Sequence, residues 1–146
     1  QNWIDPRKRD RLDSCADDTW CQGSIGIGIS RLAMLRLKED ARVRKDLHRA
    51  IDISLQTEDQ DDSLCHGTSG RVDFLLQAGE FMDDRQLVDM ANNLVKNMVG
   101  RRNCRYINGL GNHLKIPGMW LGLSGIGYQL LRMLHPKHVP SVLLLN

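Results

Sequence analysis

A chain of 146 residues is about one domain's worth by the usual ~150-residue prior and is long enough to bury a core. Its 20 Lys and Arg stand against 18 Asp and Glu, and a formal charge of +2 is too balanced for the concentrated positive surface that nucleic acids or anionic membranes require. A composition of 41% hydrophobic and 26% charged residues excludes wholesale disorder, and the longest nearly apolar stretch, 117–131, is interrupted by Ser124, Tyr128 and Gln129 and falls short of the ~20 residues of a membrane-spanning helix.

The N-terminal stretch carries a basic cluster, Arg7, Lys8, Arg9 and Arg11, to which no function is assigned. No signal-peptide pattern and no Asn-x-Ser/Thr sequon occurs. Four cysteines (Cys15, Cys21, Cys65, Cys104) are too few for a disulfide scaffold, so a reducing cytoplasm is expected. The start at Gln1, without an initiator Met, suggests a piece of a longer protein.

From residue 20 onward the chain repeats itself. Gly23-Ser24-Ile25-Gly26 opens a helical run through Ile29, Leu32 and Leu35. An amphipathic helix follows, its apolar stripe Val43, Leu47, Ala50, Ile51 and Leu55 backed by Arg42, Arg44, Lys45, Asp46 and Arg49. Residues 57–63 read as a solvated acidic connector. Gly67-Thr68-Ser69-Gly70 then begins a second inner run, and Leu87, Ala91, Leu94, Val95 and Met98 mark a second outer helix. After a long polar loop, 103–118, Gly122-Leu123-Ser124-Gly125 starts a third run through Leu130, Leu131 and Leu134. Inner helices poor in charge alternating with half-wet outer ones predict an all-α fold, an α/α solenoid or toroid in which no repeat buries its apolar face alone.

Cys65-His66-Gly67 and Cys21-Gln22-Gly23 occupy the same place, just before Gly-x-x-Gly. At a helix start the backbone turns tightly enough for adjacent Cys and His to face one metal, and the unpaired N–H groups there favour a thiolate. A ring that gathers the helix starts on one rim sets Cys21 beside Cys65 and His66. Two thiolates and an imidazole suit Zn2+ and leave a fourth position open, the arrangement of a catalytic rather than a structural site. His113 is read as an exposed loop residue, and His48, His135 and His138 as surface residues. Cys15 and Cys104 are read as ordinary thiols.

The ordered motifs Trp20-Cys21-Gln22-Gly23-Ser24-Ile25-Gly26, Leu64-Cys65-His66-Gly67-Thr68-Ser69-Gly70 and Gly122-Leu123-Ser124-Gly125-Ile126-Gly127-Tyr128 resemble the last three of the lanthionine synthetase C-like cyclases. The closing Pro136-Lys137-His138-Val139-Pro140-Ser141-Val142-Leu143 is similar to the end of class II lanthipeptide synthetases, the fused dehydratase and cyclase enzymes of bacteria. The resemblance implies that residues 1–146 are the C-terminal part of such a cyclase domain, with the motifs in 20–146, and form a partial toroid of about three inner/outer hairpins. It implies Zn2+ held by Cys21, Cys65 and His66. The implied reaction adds a Cys thiolate of a dehydrated precursor peptide to dehydroalanine or dehydrobutyrine, forming a thioether ring.

Two residues depart from the family pattern: Gln22 stands where His or Tyr is more frequent, and Asp17 where stand-alone cyclases often have Arg. The family's acid/base His and Asp are expected upstream, in the remainder of the synthetase chain, so the isolated segment is expected to be inactive and to oligomerise through its two open edges. Two other readings stay open. One is a eukaryotic lanthionine synthetase C-like protein acting on glutathione or dehydrated proteins. The other is a noncatalytic α/α-repeat module whose structural metal takes a fourth ligand such as Cys104 or His113.

Overall fold

A computed structural model of the chain describes Trp3 and residues 18–58, 61–101, 106–111 and 115–144. Among the described residues five helices follow one another: α1 (Ser24–Leu37), α2 (Ala41–Gln56), α3 (Thr68–Met82), α4 (Arg85–Gly100) and α5 (Leu123–Leu134). No strand occurs among the described residues, and no helix among them is long and apolar enough to cross a membrane.

Short connections force α1 and α2, and α3 and α4, into antiparallel hairpins. Asp40 caps α2 by accepting from the Arg42 and Val43 N–H groups at 2.8 and 3.3 Å, and Asp84 caps α4 by accepting from Gln86 N–H at 2.9 Å. Asp83 reverses the chain between α3 and α4 in the left-handed conformation, φ 55°. Asp and Asn tolerate that region better than most residues. The inner helices α1, α3 and α5 lie side by side, with α2 and α4 outside. Every residue of α3 from Thr68 to Gly79 is buried, which places this helix at the centre of the molecule. Phe74, Leu75, Val72 and Ala78 meet Ile25, Ile29 and Leu32 of α1, and Leu47, Ala50 and Ile51 close the core from α2.

The second glycine of each motif has one shared purpose. A Cβ on Gly26 would be driven into the carbonyl oxygen of Trp20, on Gly70 into that of Leu64, and on Gly125 into that of Met119. In each repeat the obstacle lies six residues upstream, so the first turn of the inner helix sits directly on the turn that leads into it. Gly70→Ala is accordingly expected to lower stability by several kcal/mol, because the obstructing atom is backbone and cannot rotate away. A urea midpoint unchanged from the unsubstituted chain would contradict this.

The third repeat is incomplete. An outer helix does not follow α5 among the described residues, because Pro136 and Pro140 cannot continue one. The segment instead folds back as a strap between α3 and α5. Arg132 on α5, 3% exposed, donates from Nε to Asp73 Oδ1 at 2.7 Å and from Nη1 to the Val139 carbonyl at 2.5 Å. Ser141 donates to the other Asp73 oxygen, and Leu143 enters the core. Among the described residues the helices thus make two hairpins and a single inner helix with a strap, in place of the three inner/outer hairpins expected.

Leu131 and Leu134 on α5, and Met34 and Leu37 on α1, are exposed, Leu37 at 90%. With these apolar edges open, the 146-residue chain alone is expected to elute ahead of a monomer in size-exclusion chromatography. A monomer that unfolds cooperatively would count against this.

Candidate metal centre

The turns leading into α1 and α3 are built alike. Gly23 N–H donates to the Thr19 carbonyl at 2.9 Å, and Gly67 N–H to the Ser63 carbonyl at 3.1 Å. Beneath each turn lies a buried aspartate. Asp18 accepts from Ser24 Oγ at the head of α1 and from Ser54 Oγ near the end of α2 at 3.1 Å. Asp62, fully buried, accepts from Ile107 N–H at 2.7 Å and pairs with Arg101 at the end of α4. Burial pushes the Asp18 carboxyl up, opposed by the Ser24 and Ser54 hydroxyls and the Arg71 charge.

The connector read from sequence as a solvated acidic loop is, at Asp62 and Ser63, fully buried. Each aspartate fastens the start of an inner helix to the end of the outer helix that follows it. The repeated Asp-Asp-Thr-Trp-Cys (17–21) and Asp-Asp-Ser-Leu-Cys (61–65) carried that signal.

The turns are also bound sideways. Trp20 N–H donates to the Cys65 carbonyl at 2.9 Å, and Cys65 N–H donates to the Trp120 carbonyl at 2.9 Å. This register brings Cys21 Sγ to 3.3 Å from His66 Nε2, and the Cys21, Cys65 and His66 ligand atoms all lie within 4.8 Å of one another. These are the only three His, Cys, Asp or Glu residues grouped closely enough to share a metal ion among the described residues. Cys65 is buried, while Cys21 and His66 are exposed.

Tetrahedral zinc with bonds of 2.0 to 2.3 Å requires ligand separations of roughly 3.5–3.8 Å, so these side chains fit such an ion with small adjustments. The helix start was expected to favour a thiolate, but without a metal the opposite holds: burial, with Cys21 next to it, pushes the Cys65 thiol from its ordinary 9.0 up to about 12, so its thiolate would need the charge of a bound cation.

A pH dependence follows for the metal-free chain. The unfolded thiol ionises near 9 while the folded one holds its proton to about 12, so the folded state binds more protons between them and loses stability as pH rises through that window. Urea midpoints measured from pH 8 to 11 are expected to fall more steeply for the wild type than for Cys65→Ser, which has no thiol to ionise. Parallel slopes would exclude the effect.

Among the described residues, the other histidines do not join this group. His48 is exposed on α2, His135 ends α5 and His138 is exposed in the strap. Gln22 is exposed beside Cys21, its N–H donating to Thr19 Oγ1 at 3.2 Å. Arg7, Lys8, Arg9, Arg11, Cys15, Asp17, Cys104 and His113 fall outside the described residues.

The model of the family described as lanthionine synthetase C-like protein matches residues 1–144. The chain belongs to this family. Among relatives of the lanthionine synthetase C-like chain, the Lacticin 481/lactococcin biosynthesis protein LcnDR2 of Lactococcus lactis subsp. lactis is 30% identical over 159 aligned residues. The alignment covers 99% of this chain and 17% of the relative, so the chain spans less than a fifth of that protein's length.

Proposed function

We propose that the chain supplies the metal-binding part of a lanthionine-forming cyclase and works within a longer synthetase on dehydrated precursor peptides. The approach of Cys21 Sγ, Cys65 Sγ and His66 Nε2 to within 4.8 Å of one another carries this reading, together with family membership. Two thiolates and one imidazole constitute a three-ligand zinc set of catalytic type. Bound there, Zn2+ supplies positive charge that favours the thiolate form of an incoming peptide cysteine.

The chain's own residues set the rest. Cys65 is anchored through both its N–H and its carbonyl, and Cys21 and His66 are open to solvent, so a peptide can reach them. In the reaction a peptide sulfur bonds to the β-carbon of dehydroalanine or dehydrobutyrine and the π pair moves toward the α-carbon. A proton delivered there, balancing the one lost by the thiol, completes the thioether without any redox change. Gln22, next to Cys21, has an amide that hydrogen-bonds but does not act as an acid. The proton donor is therefore assigned to the rest of the synthetase, not to this segment. A reducing bacterial cytoplasm would keep both thiols available.

Incubating a dehydrated precursor peptide with the synthetase that carries this chain tests the reading. Rings form without change of mass and are seen by mass spectrometry as cysteines that no longer alkylate. Chelation is expected to stop their loss and added zinc to restore it. Ring formation at the same rate with and without chelator would refute the proposal.

A further inference from the structure

We propose that Trp20 and Trp120 form a positioning clamp that sets the separation of the Cys21 and Cys65 sulfurs, an inference that rests on reading those cysteines as metal ligands. Trp120 lies two residues before Gly122, the place that Cys21 holds before Gly23 and Cys65 before Gly67. The third repeat thus presents an indole where the first two present a thiol. Its backbone nevertheless joins the site, since the Trp120 carbonyl accepts from Cys65 N–H at 2.9 Å. Trp20, adjacent to Cys21, donates its N–H to the Cys65 carbonyl at 2.9 Å. Cys65 is therefore held from both sides by the two tryptophans.

The indoles then close the circuit. Their ring centroids are 4.6 Å apart with an interplanar angle of 4°, a parallel stack joining the first and third turns across the middle one. Trp120 is 40% exposed, so core filling does not account for its place. Cys21 needs such an external hold. It is exposed, and besides the site's own Cys65 and His66 its sulfur meets Thr19 Oγ1 at 3.9 Å. Whatever fixes Trp20 against Trp120 therefore fixes the distance from Cys21 to Cys65, and neither tryptophan is itself a ligand.

The test uses the chain with Cys15→Ser and Cys104→Ser, so that only the two site thiols remain. Two probes are titrated: Co2+, read by its thiolate charge-transfer and ligand-field bands, and a trivalent phenylarsenical, which needs only two sulfurs within bridging distance. Trp120→Ala is expected to weaken both by at least about tenfold, the scale for loss of a residue that orients metal ligands, with far-UV circular dichroism unchanged. Trp120→Phe, which keeps an aromatic face, is expected to recover to within about threefold.

A purely structural tryptophan would lower the urea midpoint and leave the affinity and band energies of the folded chain where they were, and that result overturns the clamp. If Trp120→Ala does not fold, Trp120→Leu replaces it under the same criteria. Should no variant bind Co2+, the metal centre itself fails, and the arsenical alone decides the clamp: tenfold weaker capture supports it, equal capture refutes it.

Discussion

Cys65→Ala in the synthetase that carries this chain is expected to reduce ring formation more than about 100-fold and to leave the protein with less than one equivalent of tightly held zinc. Loss of an outer residue that merely orients a ligand costs 10- to 100-fold, so removing a ligand itself exceeds that range. Cys65 is also the one proposed ligand that is buried, the turn around it is hydrogen-bonded on both faces to Trp20 and Trp120, and among the described residues no other His, Cys, Asp or Glu is grouped with the site to replace it. Cys65→Ala removes a thiol whose neutral form is already favoured in the metal-free fold, so the variant is expected to fold as well as the parent. Metal analysis and the alkylation assay check both halves of the claim. A Cys65→Ala enzyme with full zinc content and normal turnover would show that the ligand assignment is wrong.

The second large effect concerns stability. Asp73 and Arg132 are 1% and 3% exposed and 59 residues apart in sequence. Burial pushes the Asp73 carboxyl up, against the pull of the Ser141 hydroxyl and the Arg132 charge, so the carboxylate depends on both partners. Asp73→Ala would strand a buried guanidinium and cost about 3–5 kcal/mol. For a chain of this size that corresponds to a fall in Tm of roughly 10–16 °C. Because the same pair anchors the strap, limited proteolysis is expected to begin within 136–144. The double variant Asp73→Leu/Arg132→Met is expected to recover most of the loss, since an apolar pair of similar volume carries no desolvation penalty. A loss below 1 kcal/mol for Asp73→Ala would mean that the strap is held by Leu143 and its neighbours instead.

Much of the architecture was legible because its cause is local. A glycine whose Cβ would strike a carbonyl six residues back must recur wherever an inner helix starts, and Gly26, Gly70 and Gly125 mark those starts. The outer helices were legible at Leu47, Ala50, Ile51, Leu87, Ala91 and Met98 because each has one wet face. α3, buried from Thr68 to Gly79, left no such stripe, because even its charged Arg71 and Asp73 are buried, and it was recognisable only by its motif.

What escaped the sequence reading depends on partners that arrive late in the chain. Asp18 meets Ser54 after 36 residues and Asp62 meets Arg101 after 39, so an aspartate that anchors a turn looks, locally, like any solvated acid. The Trp20–Trp120 stack joins residues 100 positions apart and has no periodicity to reveal it. Of the candidate site, the cysteines and histidine were visible through their shared place in the repeat. The side chains that hold them were not, apart from the motif in which Trp20 stands.

X-ray absorption at the zinc edge on the metal-loaded chain, with Cys15→Ser and Cys104→Ser in place, tests the central claim most directly. The account predicts two sulfur neighbours at about 2.3 Å and one imidazole nitrogen at about 2.0 Å, with the remaining position taken by a light atom that exogenous thiol replaces by a third sulfur. A shell without sulfur, or one closed by four protein ligands and indifferent to added thiol, would contradict it.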